Sequence, residues 1–201
     1  MTDVSTTDLS VLQSTPIDGF AGPIWAPGDP GYDDARHVFN GMIDRRPALI
    51  ARCTSADDVS AAVRHAISTG LPVSVYGGGH SVTGAAVVDG GLCIDMRGMK
   101  SVAVDPEQRT VRAAAGLTWG ELDAACQEHG LAVTGGRVSS TGIAGLALGS
   151  GSGWVERAFG YTCDNLLSAQ VVTATGEQVT ASPTVNPDLF WALRGGGGNF
   201  G

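Results

Sequence analysis

Gly135-Gly136-Arg137-Val138-Ser139-Ser140-Thr141-Gly142-Ile143-Ala144-Gly145-Leu146-Ala147-Leu148-Gly149-Ser150-Gly151-Ser152-Gly153-Trp154 is the stretch on which the reading of this chain turns. Gly142, Gly145, Gly149, Gly151 and Gly153 leave the backbone almost bare over several turns, so a flat or diphosphate-bearing ligand can lie against N–H groups. The same glycines would also serve close packing of chain on chain. Upstream, the β-branched run Pro72 to Tyr76 leads into Gly77-Gly78-Gly79-His80-Ser81. Consecutive glycines there turn backbone N–H groups into one concavity, or supply the positive φ of a tight turn. Two such segments, both after strand-like runs, favour ligand binding. The Gly77 to Ser81 turn is neither a Walker A loop, because no Gly-Lys-Ser/Thr follows, nor a dinucleotide fingerprint, because Val82 to Gly91 does not continue as a helix.

Working outward, 30 of the 201 residues are glycine, roughly twice the usual share of about 7%. With only 9 prolines and 43% hydrophobic residues, collagen-like, linker and disordered readings fall away, and the glycines serve backbone geometry. Twelve Lys and Arg against 20 Asp and Glu give a net charge of −8, which provides no footprint for gripping a phosphate backbone; nucleic-acid binding is not expected. No apolar run approaches the roughly 20 residues of a membrane span, so no membrane partner is expected. The polar segment Met1 to Gln13 lacks the order of a secretory signal. Cys53, Cys93, Cys126 and Cys163 form no CxxC pair, so no metal or thioredoxin-like site is suggested; each reads as a small buried hydrophobe of a reducing, cytoplasmic protein.

Residues 1–31, with Pro16, Pro23, Pro27 and Pro30, read as a lead-in segment. A helix is predicted from Tyr32 to Met42 and a strand over Ala48 to Ala51. Ser55-Ala56-Asp57-Asp58 has capping-box spacing, and Val59, Ala62, Val63, Ala66 and Ile67 recur at helical period until Gly70. Strands are predicted at Leu92 to Asp95, Ser101 to Val104 and Thr110 to Ala114. Thr118 to Glu121 is a second capping box, with Leu117 and Leu122 at the staple positions, opening a helix to about His129. A hairpin pairs Leu167 to Ala174 with Gln178 to Ala181. Asn186-Pro187 opens a helix through Leu193. Of the four histidines, His37 and His65 fall in predicted helices and His129 at a helix end; His80 alone stands in a glycine loop.

Four segments in this order resemble one family. Val75 to Ser81, Gly136 to Trp154, Asp164-Asn165-Leu166-Leu167 through Gly176, and Asp188 to Gly201 with its Gly195-Gly196-Gly197-Gly198-Asn199-Phe200 ending look like the FAD-linked oxidases of the berberine bridge enzyme type, within the vanillyl-alcohol oxidase superfamily. The resemblance covers about Tyr32 to Gly201. It implies an α+β or α/β, two-lobed FAD-binding domain of the PCMH type over 32–201, with a small parallel sheet and helices in about 32–100 and a mixed sheet in about 101–201. FAD is the implied cofactor, joined to the protein through His80. Tyr76, Gly77, Gly78, Gly79, His80 and Ser81 match the pyrophosphate loop. Gly136, Thr141, Gly142, Ile143, Gly145, Gly149 and Asn165 match the segments lining the cofactor, and Val171 lies on the strand beside its adenine half.

Three positions depart from the family pattern. Val138 stands where many members have a second, cysteine link, so one covalent link is expected. Ser150 interrupts the usual Gly-Gly-Gly and restricts approach to the cofactor. Thr141 occupies the position that controls oxygen access in plant members, leaving open whether O₂ or another electron acceptor reoxidises the flavin. Members continue into a substrate domain that supplies the catalytic base, so none is nominated here. The implied activity is oxidation of an alcohol, sugar or amine carbon of a small-molecule substrate by hydride transfer to flavin. A non-catalytic flavin-binding fragment is the alternative, and a flavin-free structural or carbohydrate-binding α/β protein the third reading.

Overall fold

In the computed structural model, residues 16–201 are described, and the segment Met1 to Gln13 lies outside them. The sequence of short β-branched runs separated by a helix folds as a four-stranded sheet of β1 (Ile24–Trp25), β2 (Leu49–Arg52), β3 (Val73–Tyr76) and β4 (Leu92–Asp95), in the order β1-β2-β4-β3. β2, β4 and β3 run parallel, and β1 closes the edge antiparallel to β2. Side-chain alternation sends Leu49, Ala51, Leu92 and Ile94 to one face, against Val59, Ala62 and Ala66 of α2 (Ala56–Thr69). Ile50, Cys93 and Tyr76 pack on the other face with Tyr32 and Ala35 of α1 (Tyr32–Arg36). Both faces are covered, which is the usual condition of parallel strands.

Capping residues set the helix limits. The Ser55 hydroxyl accepts from Asp58 N at 3.1 Å, and α2 ends at Gly70 with φ 69°. The Asp58 carboxylate turns instead to Ala21 N and Thr54 N, each at 2.8 Å, and to Thr54 Oγ1 at 2.6 Å. Burial alone would raise its pKa, but these donors hold it below the usual carboxylate value. They also tie residues preceding β1 to α2.

β5 (Val102–Asp105) and β6 (Thr110–Ala113) form one antiparallel ribbon, and β7 (Ala169–Val172) and β8 (Gln178–Ala181) another. The sheet expected in this half is thus present as two ribbons, linked by Arg112 Nη2 donating to Gln170 Oε1 at 2.9 Å. Between them lie α3 (Trp119–Gln127), α4 (Ile143–Leu148) and α5 (Glu156–Phe159), and α6 (Pro187–Leu193) follows β8. Glu121 completes the predicted capping box on Thr118 N at 2.7 Å, and Leu117 and Leu122 share one buried cluster with Trp119 and Ile143.

Two expectations change. The helix from Tyr32 stops at Arg36 rather than Met42, because His37 is extended and its carbonyl accepts from Tyr76 Oη at 2.7 Å, while the Arg36 guanidinium is held by Asp33 and Asp44. His37 is therefore not a helix residue. The lead-in contributes β1 and places Ile17 in the first core cluster, so its second half is part of the sheet's packing.

Candidate cofactor site

The site is built at the carboxyl end of the parallel strands, where open α/β sheets place their ligands. Tyr76, the last residue of β3, is in register with Asp95 at the end of β4, as is Arg52 of β2. Fully buried Asp95 accepts from Arg52 Nε at 2.8 Å and from Arg97 Nε and Nη2 at 2.8 and 2.9 Å. The Arg97 guanidinium lies over the Tyr76 ring at 3.8 Å. Burial would lower the Arg97 pKa, but the Asp95 hydrogen bonds and charge hold it above its ordinary value. With the Tyr76 hydroxyl fixed on His37, this network anchors the start of the glycine loop.

The two glycine segments meet directly. A Cβ on Gly78 would lie 2.1 Å from Gly142 N, and one on Gly142 would lie 2.4 Å from Gly78 N. Gly79, at φ 68°, packs against the Tyr76 phenol, and Gly135 and Gly136 lie against the Trp119 ring. These glycines perform the chain-packing role. A second group faces open space: a Cβ on Gly145 would meet nothing within 4 Å, and one on Gly149 nothing closer than 3.5 Å. Gly145, Gly149, Gly136, Val138, Thr141 and Leu146 border a concavity of about 460 Å³.

His80 sits where the segments cross. Its ring stacks on Phe39, with centroids 4.2 Å apart and planes 16° apart. Nε2 is 3.1 Å from Ser140 Oγ, and Nδ1 is 3.4 Å from Thr141 Oγ1. Phe39 N donates to Gly79 O at 3.1 Å. Ser81 Oγ lies 3.1 Å from Thr83 Oγ1 and 3.3 Å from its donor Ala85 N, closing the far side of the loop.

Other sequence-predicted residues stand farther back. Tyr76, Ile143 and Val171 are buried in three separate clusters, so their side chains support the site from behind. Asn165 donates through Nδ2 to Phe159 O and Tyr161 O at 2.9 and 2.8 Å, fixing its own loop. Val138 is half exposed at the cavity. Ser150 adopts φ 83°, a backbone setting that suits glycine. Phe39 and Ser140 were not among the expected site residues: Phe39 falls in the stretch read as helix, and Ser140 is one hydroxyl among several in its segment.

The sequence matches the FAD binding domain family over residues 47–182. The chain belongs to that family. It is 40% identical over 193 residues to (R)-6-hydroxynicotine oxidase of Paenarthrobacter nicotinovorans, covering 96% of this chain and 42% of that protein. The BBE-like 1 protein of Physcomitrella patens superposes with a TM-score of 0.88 at 33% identity, covering 97% of this chain and 42% of that one. A xylooligosaccharide oxidase of Myceliophthora thermophila in complex with xylobiose gives 0.83 at 33% identity, covering 87% and 37%. The resemblance to FAD-linked oxidases of the berberine bridge enzyme type is thus shown. The chain spans between 22% and 42% of the length of the curated relatives it matches.

FAD is the cofactor of this family domain. The residues present fit it: Gly145 and Gly149 offer backbone uncovered by any side chain beside a concavity, and the His80 imidazole stands at the segment that borders it. The loop Gly77 to Ser81 and the segment Thr141 to Gly149 are the parts of this chain that would hold the dinucleotide.

Proposed function

We propose that this chain is the flavin-binding part of an oxidoreductase that oxidises an alcohol, sugar or amine carbon of a small molecule, with its flavin attached through His80. Bound FAD supplies a hydride acceptor. The chain's own residues supply the holding surface: glycine backbone on one side of the cavity, and a histidine whose ring is fixed on one face and at both nitrogens. The placement of His80 against cavity-lining Thr141 is the observation behind the covalent reading. Attachment through His80 would exchange one imidazole N–H and one flavin C–H for a C–N bond, and the two protons and two electrons so released would pass to O₂ or another acceptor. With Val138 in place of a cysteine, the protein has a single such link. The four cysteines are free and buried, and burial pushes the Cys53 and Cys93 thiols up to about 12, so they stay unreactive thiols; a reducing, cytoplasmic setting is part of the proposal.

The experiment is denaturation of the flavin-loaded protein followed by separation of polypeptide from small molecules. Flavin fluorescence is expected to stay with the chain and to leave it in His80→Ala. Release of all flavin from the unsubstituted protein refutes the covalent link, while noncovalent FAD binding would survive that result. Nicotine-like amines and oligosaccharides, the compounds named for the relatives above, are the first substrates to assay.

A further inference from the structure

His80 is clamped more fully than a loop histidine needs to be. Its ring face lies on Phe39, Nε2 faces Ser140 Oγ, and Nδ1 faces Thr141 Oγ1. The three contacts come from two places far apart in the chain, and each adds an independent restraint on the ring. The Phe39 stack fixes the ring plane. Phe39 is itself held by its N–H on Gly79 O, the residue before His80, so ring and plate move together. The hydroxyl at 3.1 Å sets the rotation within that plane, and only Thr141 of the two hydroxyl residues borders the cavity.

From this arrangement we infer that Ser140 and Phe39 are positioning residues for His80, with Ser140 accepting the Nε2 proton and keeping Nδ1 unprotonated on the cavity side. Neutral imidazole carries one proton, and the partner of one nitrogen decides which nitrogen has it. Ser140 is exposed and Thr141 partly buried, so the Ser140 oxygen is free to take a proton donor's bond while solvent receives its own hydrogen. Thr141 Oγ1 has no other protein partner among the described residues and donates to Nδ1 in the same tautomer. Phe39 is 70% exposed and belongs to none of the buried clusters, so the stack on His80 is its aromatic contact among the described residues. The inference rests on the proposal that His80 is the flavin attachment residue.

The test follows covalent flavin retention over time after adding FAD to the protein purified without it, alongside ¹⁵N resonances of the His80 ring in the flavin-free protein. Ser140→Ala is expected to slow retention on the order of tenfold, the usual effect of losing one such hydrogen bond, without moving the melting temperature. Ser140→Thr restores the rate. Phe39→Leu slows retention and Phe39→Tyr does not. The ¹⁵N signals should show Nε2 protonated in the unsubstituted protein and a mixture of tautomers in Ser140→Ala. Unchanged retention in Ser140→Ala, or a proton on Nδ1 in the unsubstituted protein, overturns the inference while leaving His80 attachment standing. No retained flavin in the unsubstituted protein overturns both.

Discussion

Gly78 and Gly142 touch backbone to backbone, so closely that a methyl group on either would fall within 2.1 to 2.4 Å of the other's amide nitrogen. One residue belongs to the loop that follows β3 and the other to the turn that starts α4. The contact brings together the two glycine-rich segments, and with them His80, Ser140 and Thr141. It also divides the glycines of the site into those that let chain meet chain and those that leave room for a ligand.

That division gives opposite outcomes for the same substitution. Gly142→Ala forces backbone against backbone, and the overpacking costs about 2 to 3 kcal/mol; chemical denaturation should show the loss together with failure to retain FAD. Gly145→Ala places its methyl in open space within α4, where alanine is the better helix former by up to about 1 kcal/mol. Its stability should hold or rise while FAD affinity falls. Equal destabilisation by both would show that the glycines do not have separate roles.

Asp95 is the hinge of the network beneath the loop. Its carboxylate is fully buried and bonded to two guanidinium groups that are themselves only a quarter to a third exposed. Asp95→Asn leaves two cations facing a neutral amide. The cost is expected near about 3 kcal/mol, the low end for a broken buried pair because water still reaches the arginines. Urea unfolding measures it. Loss of Arg97's position should also free the Tyr76 ring, visible as faster exchange of the amides from Gly77 to Ser81.

Much of this was legible in the sequence because local rules act alone there. The Thr118-Glu121 box, the staple of Leu117 and Leu122, and the α2 period with Gly70 behind it all depend on neighbours within a few residues. The sequence pattern carries the helix from Tyr32 too far because what ends it is remote: Tyr76 claims the His37 carbonyl from across the sheet. Ser140 and Phe39 escape the sequence reading for the same reason, since their meaning comes from His80, which lies about 60 and 40 residues away from them, respectively, along the chain. The two roles of glycine could not be separated either. A glycine's neighbours, not its own identity, decide whether it makes room for backbone or for a ligand.

Ser150 tests strain directly. It holds φ 83° between Gly149 and Gly151, the latter at φ 77°. A non-glycine residue in that region costs about 1 to 3 kcal/mol, against the roughly 0.5 to 1 kcal/mol of extra chain entropy that glycine loses on folding. Ser150→Gly is therefore expected to be neutral or stabilising, by up to about 2 kcal/mol. Gly151→Ala adds strain and a clash with Oγ1 and Cβ of Thr162, at 2.3 and 2.5 Å, and should lose about 2 kcal/mol or more. Parallel thermal melts of the two variants decide the matter.

Stability should also fall in mild acid, before the carboxylates titrate. His65 is buried in α2, its Nε2 has no hydrogen-bond partner, and burial lowers its pKa. The unfolded chain therefore binds a proton at His65 more readily, near pH 6.5. Above that pH the neutral ring costs nothing extra; as pH drops through it, protonation favours unfolding, with a slope of at most about 1.4 kcal/mol per pH unit. Asp58 and Glu121, whose pKa values hydrogen bonds lower, add a second decline only below about pH 4. His65→Leu keeps the bulk and removes the titrating group, so its unfolding free energy should stay flat between pH 6.5 and 5, where the unsubstituted protein loses stability. Identical pH profiles for the two proteins would show that His65 is solvated in the folded state.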